Sequence, residues 1–115
     1  VTQPPVSVEY GGIYVYSPKG INRERAVLVV AAPGILAHPN RRWIPALEVK
    51  SHDDGDLLTV AITVPNHGGR RYVNAGNIQR VLRDWLGADP EAHLGTVSAN
   101  DMEAVRDMLA AVFDL

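Results

Sequence analysis

The apolar residues of this chain change period once, near its end, and that change sets the order of its parts. From Met102 onward they recur at spacings of three and four, at Met102, Val105, Leu109 and Val112, the stripe an amphipathic helix presents to a core. Ser98-Ala99-Asn100-Asp101 just before it has the form of a capping box: a hydroxyl to accept from an orphan backbone N–H, and a carboxylate three residues on. Upstream, apolar residues come in short β-branched runs or alternate, as strands require.

Gly11-Gly12-Ile13-Tyr14-Val15-Tyr16 reads as a first strand, and Ser17 to Asn22 as turn chemistry. Ala26-Val27-Leu28-Val29-Val30-Ala31 is a buried strand that Pro33-Gly34 stops. Trp43, Leu47 and Val49 share one face by alternation, as do Leu58, Val60, Ile62 and Val64. Between them, His52-Asp53-Asp54-Gly55-Asp56 has the composition of a hairpin tip. Arg71 to Ala75 is a further strand, which Ile78 to Val81 continues after a break at Gly76-Asn77. Strands first and one helix last give an α+β fold: a bent antiparallel sheet, closed on one side by the helix, of the small SH3-like barrel type.

With 115 residues, 46% of them apolar, the chain can fill one core and not two. One domain over 1–115 is expected, with 1–9 as a loose arm. The absence of cysteine removes disulfides, thiolate nucleophiles and sulfur-bound zinc. No cofactor or metal is expected. No stretch resembles a signal peptide or a membrane span, so a cytoplasmic protein is the expectation. The net charge of −2 hides an asymmetry: residues 1–83 carry ten Lys/Arg against six Asp/Glu, and residues 84–115 one against seven. The basic part is the one expected to meet phosphate.

Three stretches, in this order and spacing, resemble the MazF/PemK family of toxin–antitoxin endoribonucleases, and together they span the chain from Gly11 to Leu115. Gly11-Gly12-Ile13-Tyr14, with Arg25-Ala26-Val27-Leu28-Val29-Val30, is similar to the family's Gly-Asp-Ile/Val-Tyr/Trp strand and the Arg-Pro entry to its next strand; Gly12 and Ala26 replace the Asp and the Pro. Tyr72-Val73-Asn74-Ala75-Gly76-Asn77-Ile78 is similar to a strand that reads Tyr-Val-Asn-Ala-Asp-Asn-Ile in some members, so only Gly76 departs. Leu94-Gly95-Thr96-Val97-Ser98 and the helix after it resemble the family's C-terminal part. The resemblance implies a metal-independent endoribonuclease that cuts single-stranded RNA at short sequences. It also implies a homodimer with RNA in a groove across the interface, and a cognate MazE-like antitoxin whose tail fills that groove.

Cleavage of this kind uses the neighbouring 2′-hydroxyl as nucleophile, so the protein must move two protons and stabilise a phosphorane. Arg25 matches the family's strand-entry arginine, and its guanidinium fork suits non-bridging phosphate oxygens. Ser51 stands where the family has a hydroxyl aimed at the same phosphate; it reads equally as a turn residue. His52 has the side chain of a general acid or base, and also that of a solvated loop residue beside Asp53 and Asp54. Glu24, before Arg25, is a candidate base or an exposed carboxylate.

Lys19, Arg23, Arg41, Arg42, Arg70 and Arg71 are candidate phosphate contacts, although paired loop arginines are commonly just solvated. Trp43, Tyr14 and Tyr16 are candidate stacking residues, with core packing the reading for Trp43 and base stacking for Tyr16. Asn74 and Asn77 carry amides that can read base edges or form turns. Two rival functions stay open. One is a CcdB-like DNA gyrase poison, against which the Phe113-Asp114-Leu115 ending counts. The other is a catalytically inactive RNA-binding barrel.

Overall fold

The β-branched runs form strands, and all of them join one sheet. The structure, a computed structural model, describes residues 8–16, 25–38, 40–64, 69–86 and 93–113. Its elements are β1 (Gly12–Tyr16), β2 (Arg25–Val29), α1 (Pro33–Leu36), β3 (Trp43–Lys50), β4 (Thr59–Thr63), β5 (Arg70–Leu82), a 3₁₀ turn (Arg83–Trp85), β6 (His93–Thr96) and α2 (Ala99–Val112). The six strands run antiparallel in the order β4-β5-β3-β2-β1-β6. Among the described residues hydrogen bonds do not close the sheet into a barrel, and β4 and β6 are its edges.

Both faces of the sheet are covered, which is why Ala26 to Ala31 reads as a continuous apolar run rather than an alternating one. Leu28 joins Ile13, Leu47, Ile62, Val73, Met102 and Val105 in one core, under α2. Val27 and Val29 join Tyr14, Tyr16, Ile44, Ala46, Val81 and Leu86 in the other. Helix α2 starts where its cap signals: the Ser98 hydroxyl accepts from the Asp101 N–H. The Asp101 carboxylate does not return the bond to Ser98. It accepts instead from the Thr63 N–H at 2.9 Å, fastening the helix start to edge strand β4.

Three sequence expectations change. Residues 51–58 are not a hairpin tip, because β5 lies between β3 and β4 and pairs with both. Strand β5 is long enough for this, running unbroken through Gly76-Asn77 over 13 residues. The break expected there is a bulge: Leu47 pairs with Ile78 but Val49 with Val73, so β5 carries extra residues between two stretches paired to β3. Pro33, which was expected only to stop a strand, opens the short helix α1 at its first turn.

At two positions that depart from the pattern the sequence resembles, an added side chain would meet a close neighbour. A Cβ at Gly12 would stand 2.6 Å from Tyr14 Cε2, so the Tyr14 ring occupies the space of a side chain there. A Cβ at Gly76 would stand 2.7 Å from Leu58 Cδ1, where the 51–58 loop folds over the bulge. No helix among the described residues is long and apolar enough to cross a membrane. The arm expected over residues 1–9 falls mostly outside the described residues, as do Lys19, Arg23 and Glu24.

Candidate active site at one end of the sheet

Strand register decides which candidate residues meet. Arg25 opens β2 opposite Tyr16, and β2 pairs with β3 through Val27 and Glu48. Continuing that register by two residues sets Arg25 opposite Lys50, which pairs in turn with Tyr72 of β5. Ser51 and His52 follow Lys50 directly, and Arg70 and Arg71 lie at the β5 start beside it. One end of the sheet thus gathers Arg25, Lys50, Ser51, His52, Arg70 and Arg71 from distant parts of the chain.

Arg25 is held at a strand entrance, partly exposed, with its Nη1 atom 3.9 Å from the Glu48 carboxylate. At that separation Glu48 biases the guanidinium without saturating its donors, and among the described residues the other N–H groups have no partner that would keep them from a phosphate. Sequence reasoning missed Glu48. It stands opposite Val27, a pairing between strands distant in sequence, and nothing local marks it.

Ser51 and His52 are exposed, and among the described residues neither side chain has a hydrogen-bond partner. The acidic neighbours do not engage His52, because the loop uses them as local caps. Asp53 accepts from the Gly55 N–H at 2.8 Å, Asp54 from the Asp56 N–H at 3.1 Å, and Asp56 from the Leu58 N–H at 2.8 Å. Asp54 also accepts the Thr59 hydroxyl, and that bond first, then the Asp56 N–H, holds its carboxyl below the usual carboxylate range. Gly55 supports this path with φ +75°. The loop is therefore ordered by its own aspartates, leaving the Ser51 hydroxyl and the His52 imidazole presented to solvent.

The remaining candidates sort by burial. Tyr16, the preferred stacking residue from sequence, is only 9% exposed and belongs to the second core. Tyr14 is buried as well and stacks on His93, ring centroids 4.6 Å apart; burial pushes its hydroxyl pKa up. That hydroxyl accepts from the Glu9 N–H at 3.0 Å. Glu9 in turn pairs with His93 at 3.1 Å and accepts the Thr96 hydroxyl, tying β6 to β1. Trp43, expected in the core, is 43% exposed with the Arg80 guanidinium over its ring.

Asn74 has a turn role, its side-chain oxygen accepting from the Gly76 N–H at 2.8 Å, while Asn77 stands exposed on the bulge. Arg41 and Arg42 lie with Trp43 at the opposite end of β3 from Arg25. One member of the basic half is not a surface charge at all. Arg83 is buried and donates to the carbonyls of Leu36 at 2.8 Å and His38 at 3.2 Å, which ties the end of α1 to the end of β5. Among the described residues no cluster of three or more His, Cys, Asp or Glu side chains is placed to hold a metal.

No protein-family model matches the chain, and no curated protein matches its sequence. Solved structures do share its fold. An endoribonuclease from a Mycobacterial species superposes with a TM-score of 0.74 at 24% identity, over 95% of this chain and 93% of that one. The Mycobacterium tuberculosis toxin MazF-mt6 gives 0.71 at 18% identity, over 90% and 97%. The MazE-MazF complex from Deinococcus radiodurans gives 0.70 at 20% identity, over 95% and 98%. The six-stranded sheet with its C-terminal helix is thus the fold of MazF toxins.

Proposed function

We propose that this chain is the toxin of a type II toxin–antitoxin system, an endoribonuclease that cuts single-stranded RNA. The observation that carries the reading is the convergence of Arg25, Lys50, Ser51 and His52 at one end of a sheet whose fold is shared, over nearly its whole length, with endoribonuclease toxins. The Deinococcus radiodurans relative was solved with MazE, and a further Mycobacterial endoribonuclease of the same fold with its cognate antitoxin. A cognate MazE-like antitoxin, homodimerisation and action on cytoplasmic RNA belong to the same proposal.

In this reading the 2′-hydroxyl attacks the adjacent phosphorus and gives up its proton, and the bond to the 5′-oxygen breaks as that oxygen is protonated. The products are a 2′,3′-cyclic phosphate and a 5′-hydroxyl. Arg25 holds the non-bridging oxygens and offsets the charge gathered on the phosphorane. Ser51 donates its hydroxyl to the same group, and Lys50, Arg70 and Arg71 hold flanking phosphates. His52 serves one of the two proton transfers. Glu24 is the proposed partner for the other, and no step requires a metal.

The test is incubation of purified protein with a long single-stranded RNA, alone and annealed to its complement, in the presence of a chelator. Discrete cuts in the single strand only are expected. Intact RNA over many sequences would remove the reading and leave the two rivals, which a gyrase supercoiling assay separates.

A further inference from the structure

The exposed indole of Trp43 stands apart from the Arg25 end and is not explained by it. It opens β3 at one end while Lys50 closes the other, a separation of about 23 Å at the rise of an antiparallel strand. Trp43 is 43% exposed, while Ile44, next to it on the opposite face of the strand, is fully buried. The Arg80 guanidinium carbon lies 5.4 Å from the ring centroid, close enough for a cation–π contact that fixes the ring's orientation. Asn40, Arg41 and Arg42 join the pair around an open depression of about 320 Å³. Arg42 has a carboxylate nearby, Asp84 at 3.7 Å. Among the described residues Arg41 and Arg80 have none, so the patch is net positive.

We propose that Trp43 and the arginines around it form a second RNA subsite, in which a base stacks on the indole and the guanidiniums hold the flanking phosphates. The proposal rests on the ribonuclease reading and adds to it a contact remote from the cut. The charge pattern favours a polyanion with flat bases over a second copy of the chain. A two-fold contact centred here would set like arginines against each other, whereas a single strand supplies both a π-face for the indole and the anions for its neighbours. A ring already held by Arg80 loses little freedom when a base stacks on it. Given the distance along β3, an RNA covering only the cut does not reach this patch, and a longer one does.

The experiment measures binding, with cleavage blocked by the RNA itself. A labelled 2′-O-methyl RNA of mixed sequence, about 20 nucleotides long, so as to exceed the usual reach of one such site, lacks the attacking hydroxyl and stays intact. Its affinity is read by fluorescence anisotropy for wild type, Trp43→Phe, Trp43→Ala and Arg80→Ala, with oligomeric state followed by light scattering. Trp43→Ala is expected to weaken binding about tenfold, the loss of one stacked base, and Trp43→Phe to keep most of the affinity. Arg80→Ala is expected to flatten the salt dependence by about one ion. Equal affinity of Trp43→Ala and wild type overturns the subsite while cleavage by wild type leaves the ribonuclease standing. Weak binding that accompanies dissociation into monomers also overturns it, reassigning Trp43 to contact between copies. Wild type that neither binds nor cuts RNA overturns the ribonuclease reading beneath it.

Discussion

Arg25 and Glu48 lie 3.9 Å apart on a diagonal across the β2–β3 pairing, at the mouth of the sheet end that collects the candidate catalytic groups. Partly exposed pairs at this distance contribute little to stability, so the contact matters for where it points the guanidinium. Glu48→Gln is expected to slow single-turnover cleavage about tenfold through a less well oriented Arg25, with RNA affinity unchanged or raised because a negative charge leaves the phosphate path. A loss of a thousandfold or more would instead make Glu48 the general base.

His52 has no side-chain partner among the described residues, and its aspartate neighbours are turned toward backbone N–H groups. An imidazole without an orienting group is a modest catalyst, since positioned acid–base groups supply about 10²–10⁴-fold. His52→Ala is expected to slow cleavage by less than that, about tenfold, leaving the cut positions unchanged. A rate at the background level in single-turnover assays would show that the loop reorganises around bound RNA.

The elements whose apolar period is long enough were legible in the sequence: α2 with its Ser98 cap, the buried run over β2, and the alternation through β3 and β4. Arg25 and Ser51 were legible by resemblance, and the structure brings them to one end of the sheet. Pairing was not. The expected hairpin at residues 51–58 failed because insertion of β5 between β3 and β4 is a long-range choice that turn composition does not record. The burial expected of Tyr16 and Trp43 came out reversed. A sheet covered on both faces buries Tyr16 on the second core, whereas Trp43 sits at a strand start beyond either core.

Gly12 stands where the resembling family has Asp, and the Tyr14 ring fills the site of its missing side chain. The ring stacks on His93, so moving it aside would break that contact. Gly12→Asp is therefore expected to destabilise the protein by about 1–3 kcal/mol, the usual cost of overpacking. Urea unfolding measures it, and an unchanged midpoint would mean that Tyr14 has room to move.

The start of α2 makes two separate contacts. Ser98→Ala is expected to cost about 1 kcal/mol for the lost cap. Asp101→Ala removes a favourable charge at the helix start and also the acceptor for the Thr63 N–H, so it is expected to cost more than Ser98→Ala in the same urea titration. The reverse order would mean that the β4 edge is held by other contacts.

Arg25 is the group proposed to stabilise the phosphorane. The deciding measurement is single-turnover cleavage of a long single-stranded RNA by wild type and by Arg25→Ala, both checked for fold by circular dichroism. A drop of about 10²–10³-fold or more, the usual effect of removing one such donor, with the fold intact and 2′,3′-cyclic ends in the wild-type products, is the expected result. Undiminished cleavage by folded Arg25→Ala protein would contradict the assignment.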